Sequence, residues 1–437
     1  MSLRPLPLAL VALSAATACT RVIFAVVPGD CAAGSTEPGC TPTPWPTSGH
    51  GANSDPWLVT HSEVITVMHP KVLVLNFANG QTTDATTQTA QSQIAALAEG
   101  SRYHGYTDAA APAFLQYEIA KVVDLTDHPA PAGWTNPSST LLPTATTGEF
   151  DPLALFSATF ADLYGFPDPD APTRSLSLCE LFEKGLVNEV WVQDGEANAR
   201  RAPLYRERKQ IYDAAGGKVA GSFDPCAGSG GSGSSGCLDD IICDVTVRLA
   251  HLDPARGPGC DLEVRGWGIE GMWSALPAFS ADANAFLNDD FDTRFGVRFA
   301  GWSDICDQAG STCVTYPTPT EATGTYADMT RWTINPFLQG CGSTQFPPNA
   351  TMRGDLENTA TTVNSRCAHF GLHDDANGVD DAYEPYNAAK VATQDQAFPD
   401  CGGGWQIYWR QSLPGVGNPA THPDGSPMKN WWPLLFY

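Results

Sequence analysis

The sequence predicts an α/β fold: a mostly parallel sheet with flanking helices, plus a loop-rich, disulfide-stapled C-terminal portion. Three observations predict it. Lys71 to Phe77 is a continuous apolar run of the kind buried on both faces of a parallel sheet. Leu178 to Glu196 (LCELFEKGLVNEVWVQDGE) places an amphipathic helix directly before a short apolar strand, the αβ half of a βαβ unit. After about residue 300 the periodicity dissolves into turns dense in Cys, Trp and Pro.

The first 18 residues read as a secretory signal. Arg4 is the basic n-region, Leu6 to Leu13 the apolar h-region, and Ala16-Thr17-Ala18 a small-residue cleavage site. Cleavage there leaves Cys19 first, so lipidation of Cys19 and plain secretion both stand open. Residues 19–56 form a Pro/Gly/Ser/Thr tether. The α/β body is expected over 57–300, and a Cys/Trp-rich, loop-dominated portion packed on it over 301–437.

Within the body, strands are expected at Val64–Val67, Lys71–Phe77, Glu118–Leu125, Glu189–Val192 and Val245–Ala250. Helices are expected at Gln88–Gly100, Asp151–Leu163 and Cys179–Leu186, with Asn188 capping or turning the last. Residues 129–148 read as a long Pro-rich loop, and GSGGSGSSG at 228–236 as a loop tip. Trp405 and its neighbours, after Gly402-Gly403-Gly404, read as an aromatic strand.

The formal net charge is −24, which leaves no basic patch to neutralise phosphates and argues against nucleic acid as a partner. A membrane is expected as partner only through a lipidated Cys19. Of 13 cysteines, 12 remain once Cys19 is set aside, an even number for pairing in an oxidising compartment. Cys31 with Cys40, Cys226 with Cys237, and Cys306 with Cys313 are plausible local loops. The connectivity of Cys179, Cys243, Cys260, Cys341, Cys367 and Cys401 stays open.

In open parallel sheets, chemistry sits beyond the carboxyl ends of the strands. That rule gathers Asn76, Asp124, Asp127, Asp194, Glu196, His251 and Asp253. Two carboxylates in one cleft can divide acid and base work when their environments separate their pKa values. Asp194 and Glu196 are therefore the candidate nucleophile or base. A second cluster, DLEVRGWGIEGMW from Asp261, places Glu263, Trp267 and Glu270 on one helical face, with Glu270 as candidate acid beside Trp267. The bland readings are turn residues, helix caps and ion pairs. SRYHGY at 101–106 falls at the amino end of the sheet and reads as a packed histidine.

HDDANGVDD at 373–381 supplies Asp375, Asn377 and Asp380 around a glycine, with Glu384 to complete an oxygen-rich shell. Calcium is the one cofactor this suggests, without an EF-hand's bidentate Glu; no organic cofactor is expected. No P-loop, GxSxG, HExxH or Rossmann fingerprint is present, which argues against NTPases, typical serine esterases and zincins.

Several phrases together, SRYHGYTD, EIAKVVDL, VNEVWVQDGE, CDLEVRGWGIEGMW, CGSTQFPPNA and PMKNWWPLLFY, resemble an uncharacterised family of secreted, lipoprotein-like bacterial proteins over roughly residues 70 to 437. The resemblance implies no activity. It implies that more distant members carry histidines where Glu263 and Trp267 stand here, with Glu270 matched, so that this helix is an altered metal site. The function expected is a secreted or surface-anchored hydrolase acting on glycosidic bonds of a polysaccharide or cell-surface glycan. A calcium-stabilised carbohydrate- or surface-binding lipoprotein is the alternative, and a metal-dependent peptidase or amidase the third.

Overall fold

A computed structural model describes residues 40–78, 80–126, 151–194, 205–213, 215–227, 237–277, 279, 282–283, 286, 314–325, 331–335, 340–352, 354–372, 383–394, 396–422 and 424–437. Strand β1 (Thr43–Trp45) is followed by α1 (Trp57–Thr60), β2 (Ile65–Met68), β3 (Lys71–Asn76), α2 (Thr83–Gly100) and β4 (Glu118–Asp124). Then come α3 (Ala158–Tyr164), α4 (Leu178–Glu183), β5 (Glu189–Gln193), β6 (Tyr205–Tyr212), β7 (Lys218–Ala227), β8 (Val247–His251) and α5 (Pro258–Ala275). The C-terminal portion carries short strands β9 (Val314–Thr318), β10 (Glu321–Thr325), β11 (Arg331–Ile334), β12 (Val363–Ser365) and β13 (Glu384–Tyr386), and helices α6 (Ala388–Val391) and α7 (Gly403–Gln411).

The main sheet has six strands in the order β4-β3-β5-β8-β6-β7. β3 is parallel to β4 and β5, and β5 to β8, but β6 runs antiparallel to β8 and β7. The sheet is therefore mixed, where a mostly parallel one was expected. The β6–β7 hairpin gives no strand pattern in the sequence because its inward positions are charged: in YRERKQIY, Glu207 and Lys209 are both fully buried. An alternating apolar signal cannot arise from such a strand.

The other strands obey hydrophobic patterning. Val72 and Val74 of β3 enter the core under α2, α5 and α7, while Leu73 and Leu75 enter the core under α3 and α4. Each such side chain contributes about 1.5–3 kcal/mol on full burial. Helix α2 starts earlier than its apolar repeat because the Thr82 hydroxyl accepts from Ala85 N at 3.2 Å. The stretch from Asp151 splits into a 3₁₀ turn (Pro152–Phe156) and α3, because Ser157 turns extended and caps the second piece. Helix α4 has a full capping box, Ser177 with Glu180.

Residues 40–56, read above as part of the tether, are built into the body. β1 pairs with β2, and Trp45 is fully buried. Asn188 is the clip: its Oδ1 accepts from Lys71 N at 2.9 Å and its Nδ2 donates to Gly51 O and Asn53 Oδ1. Gly185, at φ +62°, passes so close to the Gly51 backbone that a Cβ would lie 2.3 Å from it.

Gly403 to Gln411 is a helix, correcting the expected aromatic strand. Trp405, Tyr408 and Trp409 recur at helical spacing and enter one core with α2 and α5. Gly403 must be glycine, since a Cβ there would meet the Phe398 carbonyl at 1.7 Å. Disulfides join Cys179–Cys243, Cys226–Cys237, Cys260–Cys401 and Cys341–Cys367. Cys40 is also disulfide-bonded. Cys31, Cys306 and Cys313 lie outside the described residues, as do 129–148 and 228–236. No helix among the described residues is long and apolar enough to cross a membrane.

Candidate functional site

The chain leaves β3 for β4 on one side, then crosses to β5 on the other. The position between the carboxyl ends of β3 and β5 is thus the topological switch point, where open α/β sheets bind ligands. Asn76 and Gln193 end these strands in register. Asn76 is committed locally: its Nδ2 donates to Gln81 O and its Oδ1 accepts from Ala78 N, which shapes the turn into α2. Gln193 is fully buried, yet neither its amide nitrogen nor its amide oxygen has a hydrogen-bond partner among the described residues. Such a group costs about 1–3 kcal/mol unless something bonds it.

Next along the chain, Asp194 Oδ1 lies 2.9 Å from His251 Nε2, and both side chains are buried. Its second oxygen, Oδ2, has no hydrogen-bond partner among the described residues. The pair forms because β5 and β8 are parallel neighbours that stop together, with Val192 opposite His251. Asp253, just beyond, accepts from Ala255 N at 2.9 Å, and its own N–H bonds the carboxyl of Asp261. Asp261 stands in the first turn of α5. Burial pushes its carboxyl up to about 7, against the opposing pull of Arg265, His251 and the Asp253 N–H. Three acids and a histidine therefore meet at the ends of β5 and β8, and the one on α5 holds its proton to near neutrality.

Helix α2, which springs from the end of β3, buries Thr86 and Gln93, whose Oγ1 and amide atoms have no hydrogen-bond partner among the described residues. Asp124, at the end of β4, lies to the side. It accepts from Thr126 N and Oγ1 and lines an open polar depression with Gln81 to Asp84.

The remaining expected residues lie elsewhere or outside the described chain. Glu270 Oε1 accepts from Thr344 N at 3.0 Å and Thr344 Oγ1 at 2.8 Å, and Glu263 Oε1 accepts from Gln345 Nε2 at 2.6 Å. Both therefore tie α5 to the turn at 344–345. Trp267 is buried in the core. Glu384 pairs with Lys390 Nζ at 2.7 Å and accepts from Tyr408 OH. Glu196, Asp127, Asp375, Asn377 and Asp380 lie outside the described residues. Among the described residues, no group of three His, Cys, Asp or Glu is arranged to hold a metal ion. His104 is packed as expected, stacked on Tyr103 at 4.0 Å, and burial lowers its imidazole to about 4.

Gln193 and Asp261 were not among the candidates. The signals were present: a glutamine closing an apolar strand, and an aspartate in the first turn of the helix after the last parallel strand. No family model, no curated protein and no solved structure matches this chain.

Proposed function

We propose that this chain is an exported hydrolase, with glycosidic bonds as its first substrate class, working at the carboxyl ends of β5 and β8. The observation that carries the reading is the pair of unlike carboxyls around His251. Asp194 is tied to the imidazole, while Asp261 keeps its proton up to about 7. Acid and base roles are divided in this way where environments push two carboxyls apart. In this reading Asp261 is the proton donor, Asp194 with His251 the base, and Gln193 the group that orients substrate at the switch point. The disulfides fit an oxidising compartment.

The test is hydrolysis of a broad panel of glycosides and polysaccharides by the wild type, Asp194→Asn and Asp261→Asn. Each variant should lose about 100-fold or more in kcat/KM, the usual contribution of a positioned acid–base group. Wild-type activity should fall as pH rises past about 7, when Asp261 gives up its proton.

A second reading, a non-catalytic binding protein for carbohydrate or a cell surface, is favoured by one observation. Each tryptophan whose side chain is described is buried, apart from half-buried Trp57, so aromatic area is spent on the core. A wild type that binds glycans in calorimetry but hydrolyses none of the panel decides for it.

A further inference from the structure

Between the sheet and helices α2, α5 and α7 lies a small buried cavity of about 10 Å³, lined by three arginines, Arg248, Arg265 and Arg410, with Glu189, Tyr117 and Trp432. That is room for one water molecule or one monoatomic ion. The three guanidinium groups come from different elements: β8, α5 and α7. All three are at most 4% exposed.

Their hydrogen bonds leave donors over. Arg248 gives Nε and Nη2 to the Tyr205 hydroxyl, at 2.9 and 2.8 Å, and its Nη1, 3.8 Å from Glu189 Oε2, makes no hydrogen bond among the described residues. Arg265 gives Nη1 to Glu189, and its Nε and Nη2 make none among the described residues. Arg410 is spent on Gln406 and on the Leu262 carbonyl. Against these donors the cavity wall offers one carboxylate, Glu189, whose oxygens already accept from Arg265, from Trp191 Nε1 and from Tyr117 OH.

The surrounding charges leave the balance positive. Glu207, 3.5 Å from Arg248 Nε, is pushed above the usual carboxylate range by burial, and Lys209 stands beside it. Glu270 acts on Arg410 through its charge, with Oε1 on Thr344. Asp261, near Arg265, is itself held toward its neutral form. Burial, and then the charge of Arg265, lower Arg410 to about 9, whereas Arg248, although burial opposes it, is raised by Tyr205, Glu189 and Glu207, so the shortage of counter-charge lies on the Arg410 side of the cavity.

We propose that this three-arginine cavity is a binding site for a single chloride-sized anion. A water is the poorer occupant. It accepts two hydrogen bonds but must place two protons of its own, and Glu189, the anionic group on the wall, is already engaged three times. A halide accepts from every free donor and supplies the missing negative charge in a medium of low dielectric. The site is separate from Asp194 and His251 and does not depend on the hydrolase reading. Its occupant would lock α5 and α7 onto the sheet.

The experiment uses the intact protein. Wild-type crystals grown in sodium bromide should show a bromine anomalous peak between Arg248, Arg265 and Arg410. In solution, chloride or bromide should raise Tm saturably by a few degrees over gluconate at equal ionic strength, as a ligand of the folded state does. Arg265→Gln, which removes two of the free donors, should abolish that anion dependence while keeping the far-UV spectrum. An ordered water without anomalous signal in the wild-type crystal would overturn the proposal whether or not the variant folds. So would a Tm that is the same in halide and gluconate.

Discussion

Asp194 and His251 sit on the ends of adjacent parallel strands, and their 2.9 Å contact is made where both are almost fully buried. One oxygen of the carboxylate is spent on the imidazole and the other has no hydrogen-bond partner among the described residues. Removing the carboxylate leaves a buried histidine alone. Asp194→Ala should therefore lower stability by about 1–3 kcal/mol, the cost of an unpaired buried polar group. Asp194→Asn, which can keep the contact, should cost less. Chemical denaturation of both variants checks this, and an Asp194→Ala variant as stable as wild type would mean that the contact contributes nothing.

Asp261 makes stability depend on pH in a direction that can be worked out. Its folded carboxyl titrates near 7, above its ordinary value of 3.8. Between these values the unfolded chain has released the proton and the folded chain has kept it. Its contribution is thus fully present below about 4 and is lost as pH rises through about 7. Asp261→Asn lacks that loss. The Tm of the variant minus that of wild type should climb between pH 4 and 7 and level off above. A flat difference across that range would show that burial does not perturb this group.

Lys209 is fully buried, and its Nζ donates to the main-chain oxygens of Leu434, Leu435 and Tyr437. Burial lowers the amine to about 8. Lys209→Met matches the bulk of the side chain but strips three carbonyls of a donor. A loss of about 2 kcal/mol or more is expected. Protease protection of the 430–437 segment should fall with it. A variant as stable and as protected as wild type would show that these contacts are idle.

Cys260–Cys401 joins the start of α5 to the turn before α7 across 141 residues of chain. Replacing both by Ser should cost about 2–5 kcal/mol. Thermal melts of the double variant should therefore resemble wild type melted in reductant more than untreated wild type. If the variant melts with untreated wild type, the cross-link is neutral.

Glu270→Ala removes the acceptor that holds Thr344 N and Oγ1. It should lower Tm by several degrees, as one lost charge-assisted contact of about 1.5–3 kcal/mol predicts. Specific activity, where hydrolysis is found, should hold. A selective loss of turnover with unchanged Tm would instead return Glu270 to the catalytic role its sequence suggested.

The sequence alone determined the central strands and their direction. Val72, Val74, Leu73 and Leu75 are apolar on both faces, and a helix that runs straight into Glu189–Gln193 leaves only a parallel partner. It also determined that Asp194, His251 and Asp253 fall at one end of the sheet, because strand direction carries that information. Tertiary structure decided the rest. The hairpin β6–β7 was hidden because Glu207 and Lys209 face inward, and Arg248, the Tyr205 hydroxyl and the main-chain oxygens of 434–437 make that burial tolerable. The pairing of Cys260 with Cys401 depends on α5 and α7 meeting in one core, which no spacing reveals. Asp261 reads in sequence as an ordinary first-turn acid. Its raised pKa comes from desolvation, a property of everything packed around it, and so it appears only once the chain has folded.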